Sequence, residues 1–168
     1  MFSILSNAIL GICVFRVLFS DCEEIVCPSP CYTYIGAMGS CVKLSAKKRP
    51  WLKAKKECLD DNGYLVVLDN DEKQQAMVQK IRNLRVDWWI GALRLRHKDS
   101  LAWSIGMFPD YTNWWNGNKW EHENNSYKSM HSCVSMLFNN SNDYNGQWIN
   151  HNCHTPLNFI CETVPKYR

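Results

Sequence analysis

The sequence lacks the short motifs that mark common enzyme active sites. It has no Gly-x-Ser-x-Gly nucleophile elbow, no His-Glu-x-x-His zinc motif and no Gly-rich phosphate loop. It also lacks a large excess of charge of one sign, because 19 Lys and Arg residues nearly balance 16 Asp and Glu residues and give a net charge of +3. These absences argue against an enzyme and against a protein that binds nucleic acid.

Long apolar runs are missing from the chain after its N-terminus. Residues 1–20 are nearly all apolar up to Phe15 and end in the small residue Ser20, which predicts a secretory signal peptide cleaved after that position. The alternative is an uncleaved signal anchor, but the run is short for a bilayer span and Arg16 interrupts it. We therefore expect a secreted, extracellular chain with no membrane span after cleavage.

Cysteine and tryptophan are present in unusual number, with nine and eight residues respectively. Cysteine at this density is typical of structural disulfides in an oxidising compartment. Cleavage would remove Cys13 and leave an even number, which suits complete pairing. Facing strands around a turn at residues 36–40 would bring Cys31 and Cys41 to bridging distance, so a local bridge is predicted between them.

Two stretches have the spacing of short amphipathic helices. The first covers residues 50–61, with Pro50 in its first turn and Gly63 expected to end it. The second is expected to begin at Asp69, with Glu72 as its capping-box partner. Both helices can pack around a central strand.

That central strand is predicted at residues 88–93, which carry apolar side chains in both directions. Gly91 in its interior indicates that another backbone or a bulky ring comes close. The other predicted strands are residues 64–68, 133–138, 147–150 and 158–162, and residues 102–106 are predicted as a partner strand and turn.

Residues 109–132 show neither helical nor strand periodicity and are rich in Trp, Asn and Gly. A connection of this length within a compact domain is usually functional or disordered. Its several aromatic rings argue against disorder, so a functional loop is predicted.

A set of landmarks follows one another along the chain in a recognisable order and spacing. They are Cys31, Cys41, Cys58, residues 63–67, residues 89–93, Trp103, residues 111–114, Cys133-Val134, Trp148, Cys153 and residues 159–162. Together these landmarks resemble the C-type lectin-like domain. The resemblance implies an α+β fold in which two helices flank two small antiparallel sheets, stabilised by disulfides, with a long loop region projecting from the second sheet. The expected organisation is a signal peptide (1–20), an N-terminal arm (21–30), the C-type lectin-like domain (31–163) and a C-terminal tail (164–168).

The resemblance also implies a disulfide pattern. Cys22 and Cys27 lie outside it, and they either pair with each other or link the chain to a second one, as in a disulfide-linked dimer. The implied bridges are Cys31–Cys41 in an N-terminal hairpin, Cys58–Cys161 between the first helix and the last strand, and Cys133–Cys153 at the base of the ligand-binding region.

Many members of this family bind sugars through a calcium ion held by two motifs. Calcium needs roughly six to eight oxygen ligands, several of them carboxylates. Where the family has Trp-Asn-Asp, this sequence has residues 148–150, with Ile149 offering no oxygen and Asn150 a neutral amide. The other motif falls at residues 118–120, where Lys119 would add positive charge. The nearby carboxylates Glu121, Glu123 and Asp143 are out of register, so we expect neither a metal nor another cofactor.

Without the ion, rings of the long loop are the candidates for binding a cell-surface protein or a glycan. Trp115 and Trp120 are expected to be partly exposed, and Trp and Tyr dominate binding hot spots. An imidazole at His122 beside Trp120 would suit a glycan. The candidate ligand-binding residues are thus Trp115, Trp120, His122 and Asn150. The alternatives are a calcium-dependent lectin and a disulfide-linked structural or toxin-like subunit.

Two further surface features are predicted. Asn124 and Asn139 begin Asn-x-Ser sequons and are expected glycosylation sites, although a glycan on Asn124 would crowd the loop. Basic residues form two clusters, which are either solvated faces or surfaces for an acidic glycan or partner. The clusters are Lys47, Lys48, Arg49, Lys53, Lys55 and Lys56, and Arg82, Arg85, Arg94, Arg96, His97 and Lys98.

Overall fold

The computed structural model describes residues 24–95, 100–115, 132–138 and 146–168. Two helices and ten strands are found there, together with a short 3-10 turn at Gly36–Met38. In chain order they are β1 (Ile25–Val26), β2 (Thr33–Ile35), β3 (Ser40–Arg49), α1 (Trp51–Asp60), β4 (Tyr64–Leu65), α2 (Asp71–Ile81), β5 (Trp88–Leu95), β6 (Ser100–Trp103), β7 (Ser132–Met136), β8 (Trp148–Asn152), β9 (Leu157–Thr163) and β10 (Lys166–Tyr167).

The α+β fold class is confirmed. Eight strands form one sheet in the order β2-β3-β9-β5-β7-β8, with β4 added to β9 and β6 added to β5. This sheet is continuous through its centre because β9 and β5 pair with each other in parallel, with Trp89 opposite Phe159. A separate two-stranded sheet joins β1 to β10, so the N-terminal arm and the C-terminal tail pair with each other.

Strand β5 is the centre of the molecule, as its sequence predicts. Its residues from Trp88 to Ala92 are all buried, and alternate side chains enter two different cores. Ile90 packs with Met77 and Ile81 of α2. Trp89 packs with Trp51 and other residues of α1. The two helices therefore cover opposite faces of this strand.

Gly91 allows close backbone approach, which was predicted for it. A Cβ atom at this position would lie 2.6 Å from the carbonyl oxygen of Leu65. Its N–H donates to the carbonyl oxygen of Val66 at 2.8 Å. Any side chain would push β5 away from the segment that leads into α2.

The end of α1 differs from the sequence prediction. Asn62, with φ of 58°, takes the left-handed conformation that was expected at Gly63. Gly63 instead allows β9 to approach closely, because a Cβ atom at Gly63 would lie 2.5 Å from the carbonyl oxygen of Glu162. Asn tolerates the left-handed region better than other side chains, which explains the exchange of roles.

The start of α2 is also shifted by one residue. The cap is Asn70, whose side-chain oxygen accepts the N–H of Lys73 at 2.9 Å. The predicted capping box of Asp69 and Glu72 is wrong, since Asp69 instead forms an ion pair with the Lys73 ammonium group at 3.0 Å.

The structure forms the implied bridges Cys58–Cys161 and Cys133–Cys153. The expected Cys31–Cys41 bridge is wrong, because Cys41 pairs with Cys27. The alternative in which Cys22 pairs with Cys27 is therefore wrong as well, and Cys22 lies outside the described residues.

Strand register gives the physical reason for this pairing. Tyr34 lies opposite Cys41 across β2 and β3, which places Cys31 three residues beyond the position that faces Cys41. A turn after Cys27, closed by the Tyr32 N–H on the carbonyl oxygen of Ser29, folds the arm back. Cys27 thereby reaches Cys41 with a Cα–Cα distance of 5.8 Å.

Candidate functional site

The long connection, defined as residues 104–131 between β6 and β7, is described as far as residue 115. It is anchored on the fully buried ring of Trp148 at the start of β8. Three other rings meet Trp148 edge to face, a favourable geometry for aromatic pairs. These are Trp103 at 5.6 Å, Tyr111 at 5.9 Å and Trp114 at 5.8 Å between ring centroids.

Backbone hydrogen bonds fix the same contact. The Trp148 N–H donates to the carbonyl oxygen of Asn113 at 2.7 Å, and the Trp115 N–H donates to the carbonyl oxygen of Trp148 at 3.0 Å. Residues 113–115 thus run beside the first residue of β8. We call residues 111–115 the base of the long connection, and this base is held by both rings and backbone.

A buried glutamine joins this base to α2. Gln74 is fully buried, and its side-chain oxygen accepts the indole N–H of Trp148 at 2.9 Å. Its side-chain NH₂ group donates to the carbonyl oxygen of Gly146 at 2.7 Å. The Asn113 side chain donates to that same carbonyl oxygen at 3.2 Å. Together, these three hydrogen bonds tie α2, the long connection and the segment that begins β8 to one another.

Position 146 requires a glycine. Its φ of +85° is in the left-handed region, and a Cβ atom would overlap Cγ2 of Val78 on α2. Sequence reasoning missed both Gln74 and Gly146. The available signal was the polar Gln74 at a position that shares a helix face with Met77 and Ile81.

Tyr111 adds a polar contact between the base and α2. Its hydroxyl donates to a carboxylate oxygen of Asp71 at 3.2 Å, in the first turn of the helix. Burial and, to a smaller extent, the neighbouring Asp71 charge raise the pKa of Tyr111 to about 12. The phenol therefore stays protonated and remains a donor at physiological pH.

Two of the predicted ligand-binding residues are described, and both are half-buried beside Trp148. Trp115 lies across from β8, and Asn150 lies on β8 opposite Val134. The structure thus brings Trp115 and Asn150 to one region of the molecule. Trp120, His122, Asn124 and Asn139 lie outside the described residues.

The described part of the long connection also exposes apolar side chains that the sequence did not single out. Phe108 is 58% exposed, and Ile105 and Met107 are exposed beside it. The Trp103 N–H donates to the carbonyl oxygen of Met107 at 2.7 Å, which fixes the turn that carries them. Clustered apolar exposure of this kind often marks a binding surface.

The donors on β8 do not fit calcium. Ile149 has no oxygen in its side chain and Asn150 supplies only a neutral amide, whereas calcium requires several charged oxygens. Within the described ranges, His, Cys, Asp and Glu side chains form no group of three that could hold a metal ion. Residues 118–120, the other half of the expected site, lie outside the described residues.

Comparison with known proteins agrees with the fold. The lectin C-type domain family matches residues 47–163. Human C-type mannose receptor 2 is 29% identical over 124 residues, which cover 74% of this chain but 8% of the receptor. Salivary C-type lectin 1 of Aedes albopictus is 26% identical over 121 residues, or 68% of this chain and 76% of that protein.

A solved structure shows the same architecture. The carbohydrate-recognition domain of the mouse scavenger receptor C-type lectin superimposes with a TM-score of 0.69 at 27% identity, covering 82% of this chain and 98% of that domain. In the part of the chain that the structure describes, no helix is long and apolar enough to cross a bilayer.

Proposed function

Because the chain belongs to the lectin C-type domain family, whose domains are recognition modules rather than enzymes, we propose that it binds a cell-surface protein or a glycan through its long connection, without calcium. The carrying observation is the exposed apolar cluster of Ile105, Met107 and Phe108 on a connection whose base is fixed to Trp148. A fixed base reduces the entropy that binding would otherwise lose.

The half-buried Trp115 extends this surface. Rigid aromatic side chains provide large contact area at low entropic cost, and they are enriched among residues that dominate binding energy. Trp120 and His122 remain proposed contacts on the same connection. Asn150 is proposed as a polar contact at its edge, through its amide.

Independence from calcium is supported by donor chemistry. Calcium would need carboxylates where the chain has Ile149 and the neutral Asn150. A calcium-dependent lectin is the competing function, and chelation distinguishes the two.

A second candidate function is a disulfide-linked subunit. Cys31 is exposed, and its thiol forms no disulfide with the described residues. Cys27, an earlier candidate for such a link, is consumed by the bridge to Cys41. Cys31 or Cys22 would therefore make the link.

Secretion after cleavage of residues 1–20 and glycosylation at Asn124 and Asn139 are part of the same proposal. Mass spectrometry of the chain recovered from the medium of a eukaryotic cell tests them together. It would show an N-terminus at Asp21 and sugar-dependent mass at each asparagine. An N-terminus at Met1 would contradict cleavage.

The decisive experiment measures binding to glycan and cell-surface protein arrays with and without a chelator. We expect binding that survives chelation, that falls at least about tenfold in Phe108→Ser, and that is unchanged in the matched control Leu52→Ser. Leu52 is 67% exposed on α1, away from the long connection. Binding abolished by chelation would establish the calcium-dependent function instead.

A further inference from the structure

A groove of about 400 Å³ lies at one end of the main sheet, where β3 ends and β5 and β9 begin. The register places it there, since Arg49 faces Leu157 across β3 and β9 and Asn158 faces Trp88 across β9 and β5. Its volume falls within the range of roughly 300–1,000 Å³ that small-molecule sites occupy. The described residues of the long connection do not line it.

Two cations from separate parts of the sequence meet in this groove. Lys48 comes from the first basic cluster and Arg85 from the second, and both line the groove and are exposed. Neither forms an ion pair with the described residues. In contrast, the adjacent Arg49 is paired with Glu57.

The groove also contains a carboxylate, which is already engaged. Asp87 accepts the N–H of Phe138 at 3.0 Å and so fixes the end of β7 against the start of β5. Asp87, Lys48 and Arg85 together carry a net positive charge.

A buried amide lines the same groove. Asn158 is 8% exposed, and it lines the groove. A side-chain amide offers both hydrogen-bond donors and an acceptor oxygen, so Asn158 can bond a polar ligand in the groove. Leu137 and Leu157 supply half-buried apolar surface beside it.

The backbone at Arg85 is a further sign of function. Its φ of 48° lies in the left-handed region, where a residue other than Gly, Asn or Asp is uncommon. Gly would fit this position with less strain. Strained residues of this kind cluster at functional sites, and here the strained residue supplies a groove cation.

We propose that this groove binds an acidic saccharide. Arg85 and Lys48 pair with its sulfate or carboxylate group, Asn158 bonds a ring hydroxyl, and the apolar face of the ring lies on Leu137 and Leu157. The proposal takes its ligand class, a glycan, from the proposed function, but it places a second site away from the long connection.

Isothermal titration of the mature chain tests it with three probes: a heparin-derived tetrasaccharide, sialyllactose and neutral maltotetraose. The first two separate sulfate from carboxylate as the recognised group. We expect one or both acidic probes to bind, more weakly as salt rises, and maltotetraose not to bind. Arg85→Gly and Lys48→Gln should each lower the affinity about tenfold.

Matched controls separate the groove from general charge and from strain. Lys47→Gln removes the same charge from an exposed neighbour outside the groove, and Asn62→Gly relaxes the other non-glycine residue with positive φ among the described residues. Both should change affinity less than about twofold. Arg85→Gly relieves strain, so its melting temperature should not fall and lost binding cannot be assigned to unfolding.

Equal losses in Lys47→Gln and Lys48→Gln would overturn the proposal, as would equal binding of poly-glutamate, which would indicate an acidic peptide. If Phe108→Ser loses binding of the acidic probes and Arg85→Gly does not, the groove proposal is overturned while the proposed function stands. Groove binding that persists while array binding is unaffected by Phe108→Ser would refute the long-connection proposal alone.

Discussion

Gln74 and Trp148 form a buried hydrogen bond of 2.9 Å that joins the N-terminal half of α2 to the start of β8. Both residues are fully buried. The ring of Trp148 also supports the base of the long connection through Trp114 and Tyr111. The orientation of the proposed binding surface therefore depends on a helix residue that would not contact the ligand.

Replacing this amide should weaken both stability and binding. Gln74→Met keeps the volume but leaves the Trp148 indole N–H without its acceptor, and the carbonyl oxygen of Gly146 without one of its donors, in a dry environment. We expect a loss of about 2–4 kcal/mol in unfolding free energy, measured by urea denaturation with the disulfides intact. The control Gln75→Met, on the exposed face of α2, should stay within about 0.5 kcal/mol of the parent. Equal stability of the two variants would show that the network does not matter.

Alanine substitutions at three glycines distinguish the free-energy cost of backbone strain from that of steric overlap. Gly36→Ala should be nearly neutral because neither space nor φ opposes it, and Gly106→Ala should cost about 1 kcal/mol because only its φ of +92° is unfavourable. Gly146→Ala combines strain with overlap onto Val78 and should cost more than about 3 kcal/mol. Adding Val78→Ala should recover part of that loss relative to the sum of the single changes. Strict additivity would contradict the overlap.

Glu162 makes stability depend on pH in a defined direction. It is 2% exposed, and burial raises its pKa above the ordinary 4.5, although the Val67 N–H donates to its carboxylate at 2.9 Å. Because the folded pKa is the higher one, this group favours folding fully below its ordinary pKa, and that contribution is lost as pH rises through the folded pKa. Glu162→Gln keeps an acceptor for Val67 and removes the titration.

The unfolding free energy of Glu162→Gln relative to the parent should therefore rise between pH 4 and pH 7.5, by about 1.4 kcal/mol for each unit by which the pKa is raised. Urea denaturation at both pH values measures the difference. Lys73 lowers and Asp69 raises the pKa of this carboxyl group in the parent, so both charges contribute to the measured difference. A difference that does not change with pH would mean that the carboxyl group titrates normally.

Much of the fold could be predicted because it depends on local patterns. The apolar residues of β5, the helix starting after Pro50 and the close approach at Gly91 follow from periodicity and from residue chemistry. The partner of Cys41 could not be predicted in this way. It depends on strand register and on a turn in the arm, and a shift of a few residues in either changes which cysteine arrives.

The sites illustrate the same limit. The sequence alone shows that Ile149 and Asn150 supply no carboxylate at these two positions, and this is the basis of the prediction that no calcium binds. Gln74 could have been suspected as a polar residue on an apolar helix face, but its partner Trp148 is 74 residues away in the chain. Lys48 and Arg85 appear in separate basic clusters, and only the pairing of β3, β9 and β5 places them in one groove.

The cysteine assignment can be tested by exchange of single residues. Cys27→Ser should lower the unfolding free energy by about 3 kcal/mol, because the bridge closes a loop of 14 residues. Cys31 cannot replace Cys27, since the register leaves it three residues, or about 10 Å, from the position facing Cys41. Cys31→Ser should leave the stability within about 0.5 kcal/mol.

Peptide mapping under non-reducing conditions checks the bridges directly. The parent should yield a Cys27–Cys41 peptide and a Cys31 that either reacts with a thiol reagent or is joined to a cysteine outside the described residues or in another chain. If chains are linked through Cys31, non-reducing gels should show a dimer that disappears in Cys31→Ser but persists in Cys27→Ser. A Cys31–Cys41 peptide, together with a stable Cys27→Ser variant, would show that the arm folds differently from the turn described at residues 28–31.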